Sequence, residues 1–236
     1  MSRIPRSNVA TEPLTARSSA LAVAAAVTAG AFVVLLAMLH VINPGVDPSW
    51  RFVSEYQLGD WGWLMSVAFG CLAISALSLL IAVRSQVRTV GGRVGLGFLA
   101  ISGLGAAMAA AFRSDSLLAE TATTSGVIHN IGAVLGGFIP LAAYLLAWSL
   151  ARNIDWRPYR QLLWWVTTPA IVAHLATVWQ QVVIASGGGT FGPDVPVGWP
   201  NRLLVVGMAL WLFAAAAMIR LTAVVNHPRR FSMSSV

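Results

Sequence analysis

Six stretches of this chain, at about residues 19–42, 61–83, 94–112, 125–150, 161–185 and 202–220, are apolar and hold no charged side chain in their interiors. At about 1.5 Å per residue each is long enough to cross the ~30 Å hydrocarbon layer of a bilayer as a helix. A soluble globule of this size needs a charged shell, and a chain that is 57% hydrophobic and only 10% charged cannot supply one. The sequence therefore predicts an all-α polytopic integral membrane protein, six transmembrane helices in one bundle. The connections are too short for a soluble domain. The expected division is a tail over 1–18, the bundle over 19–225 and a second tail over 226–236.

Orientation follows from the basic residues, all 15 of which are Arg. Arg3, Arg6, Arg17, Arg84, Arg88, Arg93, Arg152, Arg157, Arg160, Arg220, Arg229 and Arg230 fall on one side of the predicted spans; Arg51, Arg113 and Arg202 fall on the other. Positive charge accumulates on the cytoplasmic side, so both termini are expected inside, in the plasma membrane. The net charge of +7 reports this topology and an affinity for membrane lipids, and excludes nucleic acid as the reason for the basic balance. The first apolar run, about 24 residues, exceeds the 7–15 of a signal peptide and reads as a retained helix. A single Cys71 excludes a disulfide framework and a cysteine metal site.

The outer connection between the first two spans, DPSWRFVSEYQLGDWGW (47–63), is far richer than a linker needs to be. Asp47 before Pro48 is a helix start. A helix over 48–58 would place Trp50, Val53, Ser54 and Leu58 on one face and pair Arg51 with Glu55 at i,i+4. This is the pattern of a short interfacial helix lying as a lid on the bundle, with Ser54 turned inward and Glu55 and Tyr56 at its flanks. Trp50, Trp61, Trp63 and Trp199 are expected at the outer boundary, Trp148, Trp156, Trp164 and Trp165 at the inner one.

Beneath the lid, His40 stands about one turn inside the outer end of the first span. His129 stands one turn inside the start of the fourth, with Ser125 on the same face. Arg113 and Asp115 reach the same level from the connection between the third and fourth spans, and Arg113 is expected to neutralise Glu55 or Asp115. Ionisable groups at such depth face the bundle interior or a wet cavity. A polar pocket at the extracytoplasmic face is expected, taking a small molecule or lipid. In the fifth span Thr167, His174 and Gln181 recur at seven-residue spacing beside Thr177, a polar stripe that would turn His174 toward other helices. Close helical pairs of small residues, such as Gly132 with Gly136, are expected to pack within the bundle.

The segments VSEYQLGDWGWLM, FRSD, TTSGVIHN, FIPLAAY and GWPNRLLVVGMALW, in this order and placement, resemble the membrane-protein family known as domain of unknown function 998, over about residues 20–220. The resemblance implies a six-helix bacterial or archaeal membrane protein whose recurrent polar positions map to Ser54, Asp115 and His129. It implies no established activity. The family's Phe-Pro-Thr-Asp-Pro pattern is replaced here by Phe112, Arg113, Ser114, Asp115 and Ser116, and its acid before the outer Arg of the sixth span by Pro200 and Asn201.

Three chemistries compete with a purely structural hydrogen-bond network. Ser54, His129 and Asp115 have the residue types of a hydrolytic triad without a nucleophile-elbow motif. His40 and His129 with Glu55 or Asp115 have metal-ligand types without ligand spacing, so no metal and no cofactor is expected. Haem held between His40 and His129, supported by their depth alone, is the third. Apart from the pocket, a proton or solute path along the stripe through His174 is weighed as well, disfavoured by the lack of charge inside the spans.

Overall fold

The computed structural model describes residues 14–187 and 191–226. Arg3, Arg6, Arg229 and Arg230, with most of both expected tails, lie outside the described residues. The described chain is helical throughout its spans, and six helical segments are long and apolar enough to cross a membrane. The helices are α1 (Ala16–Ile42), α2 (Gly62–Val83), α3 (Val90–Ala111), α4 (Thr124–Gly136), α5 (Ile139–Leu150), α6 (Arg160–Ser186) and α7 (Gly198–Asn226).

The fourth span is thus two helices where the sequence predicts one. Pro140 is the cause, since a proline has no N–H to donate to the carbonyl of Gly136. Gly137 ends α4 by donating to Ala133, and Pro140 sits in the first turn of α5. Three helices start alike: the hydroxyls of Thr15, Thr89 and Thr123 accept from the amides of Ser18, Gly92 and Gly126.

The bundle is built around α2 and α7. The first packs on α1, α3 and α7; the second also meets α1, α5 and α6. Association in lipid gains little from apolar burial, so close packing and hydrogen bonds between helices carry it. Ser75 of α2 donates to the carbonyl of Ala25 in α1 (2.8 Å), and the Trp211 indole of α7 donates to Thr167 of α6 (3.0 Å). Between α3 and α4 glycine is required: a Cβ on Gly132 would stand 2.7 Å from the Gly105 carbonyl oxygen and 2.8 Å from the Met108 Cβ. Gly132→Leu should therefore cost roughly 1–3 kcal/mol by overpacking. Gly70, whose Cβ position meets open space, should accept Ala within about 0.5 kcal/mol. Thermal unfolding in detergent compares the two.

Candidate site at the lid end of the bundle

The connection from α1 to α2 folds onto the end of the bundle where α1 and α3 finish and α2, α4 and α7 begin. It is not one helix over 48–58. Ser49 donates its amide and hydroxyl to the Asp47 carboxylate (2.8 and 2.6 Å), which holds that carboxyl below the usual carboxylate range and makes a turn. Phe52 is then extended, and a 3-10 helix runs from Val53 to Leu58. The tighter winding changes the buried face: Val53, Glu55, Tyr56 and Gln57 are buried while Leu58 is exposed. Arg51 pairs with Glu55 as expected, at 3.5 Å.

One side of the lid is held by α7. Arg202, one turn into α7, is only 4% exposed, and no carboxylate among the described residues lies within ion-pair distance of it. Its guanidinium donates to His40 Nε2 (2.8 Å), to the carbonyls of Arg51 (2.6 Å) and Gly198 (3.2 Å), and to the Tyr56 hydroxyl (3.4 Å). The imidazole can accept there because its Nδ1 lies 2.7 Å from the carbonyl of Leu36. A carbonyl only accepts, so Nδ1 carries the proton and Nε2 the lone pair. Next to Arg202, the Asn201 side chain accepts from the amide of Val53 (3.0 Å), and the amide of Gly198 donates to the carbonyl of Ser49 (3.0 Å). Gly198 has to be glycine, since a Cβ would collide with the carbonyl of Pro48.

The other side is held by α2, α3 and the loop after α3. Buried Gln57 donates to Ser66 and to the carbonyl of Ala109 (both 3.0 Å), and its side-chain oxygen accepts from the amide of Ser114 (3.0 Å). Its main-chain carbonyl takes both Nε and Nη2 of Arg113 (3.2 and 2.9 Å). Glu55 accepts from the amide of Leu117 (2.9 Å) through Oε1, while its Oε2 is buried without a partner. The expected ion pair of Arg113 with Glu55 or Asp115 is absent among the described residues. Arg113 is spent on a lid carbonyl, and Arg51 is the cation at Glu55.

Asp115 also serves the backbone. Its carboxylate accepts from the amide and hydroxyl of Thr123 (2.7 and 2.8 Å), anchoring the residue that caps α4, and Gly126 must lack a Cβ for this carboxylate to fit. Ser125 donates to the carbonyl of Arg113 (3.0 Å). His129 is fully buried, its Nδ1 lying 2.9 and 3.1 Å from the carbonyls of Phe112 and Ala109 and its Nε2 without a partner. Ser54 Oγ accepts a long bond from Ser114 (3.4 Å). No hydrogen bond joins Ser54 to His129 or His129 to Asp115 among the described residues. Beside the lid, at the start of α2, lies an open depression of about 340 Å³ lined by Gln57, Gly59, Asp60, Gly62, Trp63, Ser66 and Arg113. Of the residues expected to form a pocket, Arg113 is the one that reaches it.

The residues that organise this end of the chain fall inside a region, 20–218, matched by the family model described as protein of unknown function (DUF998). The chain belongs to the DUF998 family. No curated protein and no solved structure matches it. In this DUF998 protein the three positions singled out by the resemblance, Ser54, Asp115 and His129, each hydrogen-bond to the loop that follows α3 or to the end of α3. The two residues that contribute most bonds, Gln57 and Arg202, were missed as site residues. Both carried a readable signal: Gln57 stands seven residues after Trp50, on the side of a 48–58 helix expected to face the bundle, and Arg202 is an Arg at the membrane boundary without its acid.

The stripe on α6 divides. Thr167 and Thr177 are buried and donate to carbonyls one turn earlier, Leu163 and Ala173. Gln181 is exposed. His174 is half-buried, with its Nδ1 enclosed and unpartnered.

Two substitutions test this geometry. Gln57→Leu strands the amide of Ser114 and should lower stability by roughly 1–3 kcal/mol. His174→Leu removes an unsatisfied atom, so it should be neutral or stabilising by up to about 1 kcal/mol. Thermal unfolding of both variants in one detergent checks them.

Proposed function

We propose that this protein sits in the plasma membrane with both termini cytoplasmic, and that its outward-facing lid end binds a small molecule or lipid. The reading is supported by the depression of about 340 Å³ beside Gln57 and Arg113, at the lower end of the ~300–1,000 Å³ typical of ligand sites. The lid's polar groups are largely consumed by holding it down, so the groups left to meet a ligand are those on the rim of the depression. Mass spectrometry of the protein purified in mild detergent should find a copurifying molecule that Trp63→Ala or Arg113→Gln reduces. Finding none would contradict the reading. The orientation is checked separately: Ser49→Cys should react with an impermeant thiol reagent on intact cells and Ser85→Cys should not.

A second reading, a membrane-embedded hydrolase acting on a lipid, draws on His129. With Nδ1 donating to main-chain carbonyls, Nε2 keeps the lone pair a general base requires. Ser54 would have to leave Ser114 and reach that nitrogen. A fluorophosphonate probe separates the readings: labelling of Ser54 that His129→Ala abolishes supports the hydrolase, and the binding reading predicts no labelling.

A further inference from the structure

The binding reading leaves the ligand's chemistry open, and the inference drawn here rests on it and narrows it. Arg113 contributes a guanidinium whose direction is set by the fold. Its Nε and Nη2 are both committed to the carbonyl of Gln57, which is itself fixed through its side chain to α2, α3 and Ser114. The Nη1 group makes no hydrogen bond to the described residues, so this pre-oriented cation, which lines the depression, keeps two N–H donors uncommitted. Asp60 lines the same depression, is exposed, and has neither ion pair nor hydrogen bond among the described residues. An unpaired cation and an unpaired anion thus share one small depression without meeting each other. Ser66, which accepts from Gln57, retains its own hydroxyl proton to give. Trp63 lines the depression and is 57% exposed in the first turn of α2, where an amphipathic ring marks the headgroup level.

We propose that this depression holds the headgroup of a zwitterionic phospholipid of the phosphoethanolamine type. The phosphate takes Arg113 Nη1 and the Ser66 hydroxyl, and the ammonium takes Asp60. An anionic headgroup without an amine, such as phosphoglycerol, would leave Asp60 facing like charge, one with an added carboxylate would set a second anion beside it, and a choline has no N–H for a carboxylate and prefers an aromatic cage, of which Trp63 is one wall only. The volume suits a headgroup, and the acyl chains would stay in the bilayer beside α2.

The test uses the full chain reconstituted in vesicles of equimolar phosphatidylethanolamine, phosphatidylcholine and phosphatidylglycerol, with retained lipid quantified by native mass spectrometry after mild delipidation. Phosphatidylethanolamine should be enriched about tenfold over both others, and Asp60→Asn should remove most of that preference, the equivalent of one charge-assisted hydrogen bond. Asp60 holds nothing else in the fold, so this variant changes the site without unfolding it. Arg152→Gln, at the opposite end of the bundle, should change nothing. Equal retention of all three lipids, or a preference that survives Asp60→Asn, overturns the headgroup assignment and leaves lid-end lipid binding standing. Soluble phosphoethanolamine retained in the absence of any held lipid overturns the lipid source. Retention of no lipid and no soluble headgroup overturns both this inference and the binding reading beneath it.

Discussion

The buried guanidinium of Arg202 governs how this end of the protein is built. It stands one turn into α7, near the helix N-terminus where the dipole disfavours a cation, in a bundle whose core is predominantly apolar. An unpaired buried charge would cost several kcal/mol. The chain solves the problem with neutral acceptors: the carbonyls of Arg51 and Gly198, the Tyr56 hydroxyl and the imidazole of His40, with exposed Asp47 adding a weak attraction from outside. Each acceptor but Gly198 belongs to α1 or to the lid. Solvating Arg202 is therefore the same act as closing the lid against α1 and α7.

Gln57 does the corresponding work toward α2 and α3, and the two residues give the lid two anchors, one on α7 and one on α2, α3 and the loop after α3. A segment held in this way acts as a fixed cover. Access to any ligand then comes beside the lid, where Asp60, Trp63 and Arg113 line open space, and not beneath it, where His129 is sealed among Phe69, Ala109 and Phe112. The order of the chain thus separates two polar regions at one level. The enclosed region builds the fold, and the open one has charges to spare.

The spans were legible because the bilayer imposes a length and a polarity that a single sequence must display. The break at Gly137 and Phe138 was not: Pro140 is tolerated in membrane helices often enough that its presence alone predicts no division. The lid's location and its Arg51–Glu55 pair were legible from spacing. Its exact winding was not, because one extended residue, Phe52, interrupts the 3.6-residue period and a 3-10 helix follows, so that Glu55 and Tyr56, expected at the flanks, are buried and Leu58, expected on the inner face, is exposed. Trp156 shows the same limit. It reads as a headgroup-level ring at the inner boundary, yet it is fully buried. Arg113 was assigned to an acid because opposite charges attract, whereas the structure spends it on a carbonyl that the lid's winding presents. Pairing at this end is decided by backbone direction, which local pattern does not encode.

If the lid is a fixed element clamped by α7, its backbone amides report on the clamp directly. In hydrogen–deuterium exchange of the protein in lipid nanodiscs, the Val53 amide, bonded to Asn201, and the Glu55 amide, bonded to Phe52, should exchange far more slowly than free amides. Replacing Arg202 with Gln should accelerate both while leaving the amides of α3 protected. Exchange of residues 53–58 at the rate of an unstructured peptide in the unmodified protein would contradict the clamp and the architecture argued from it.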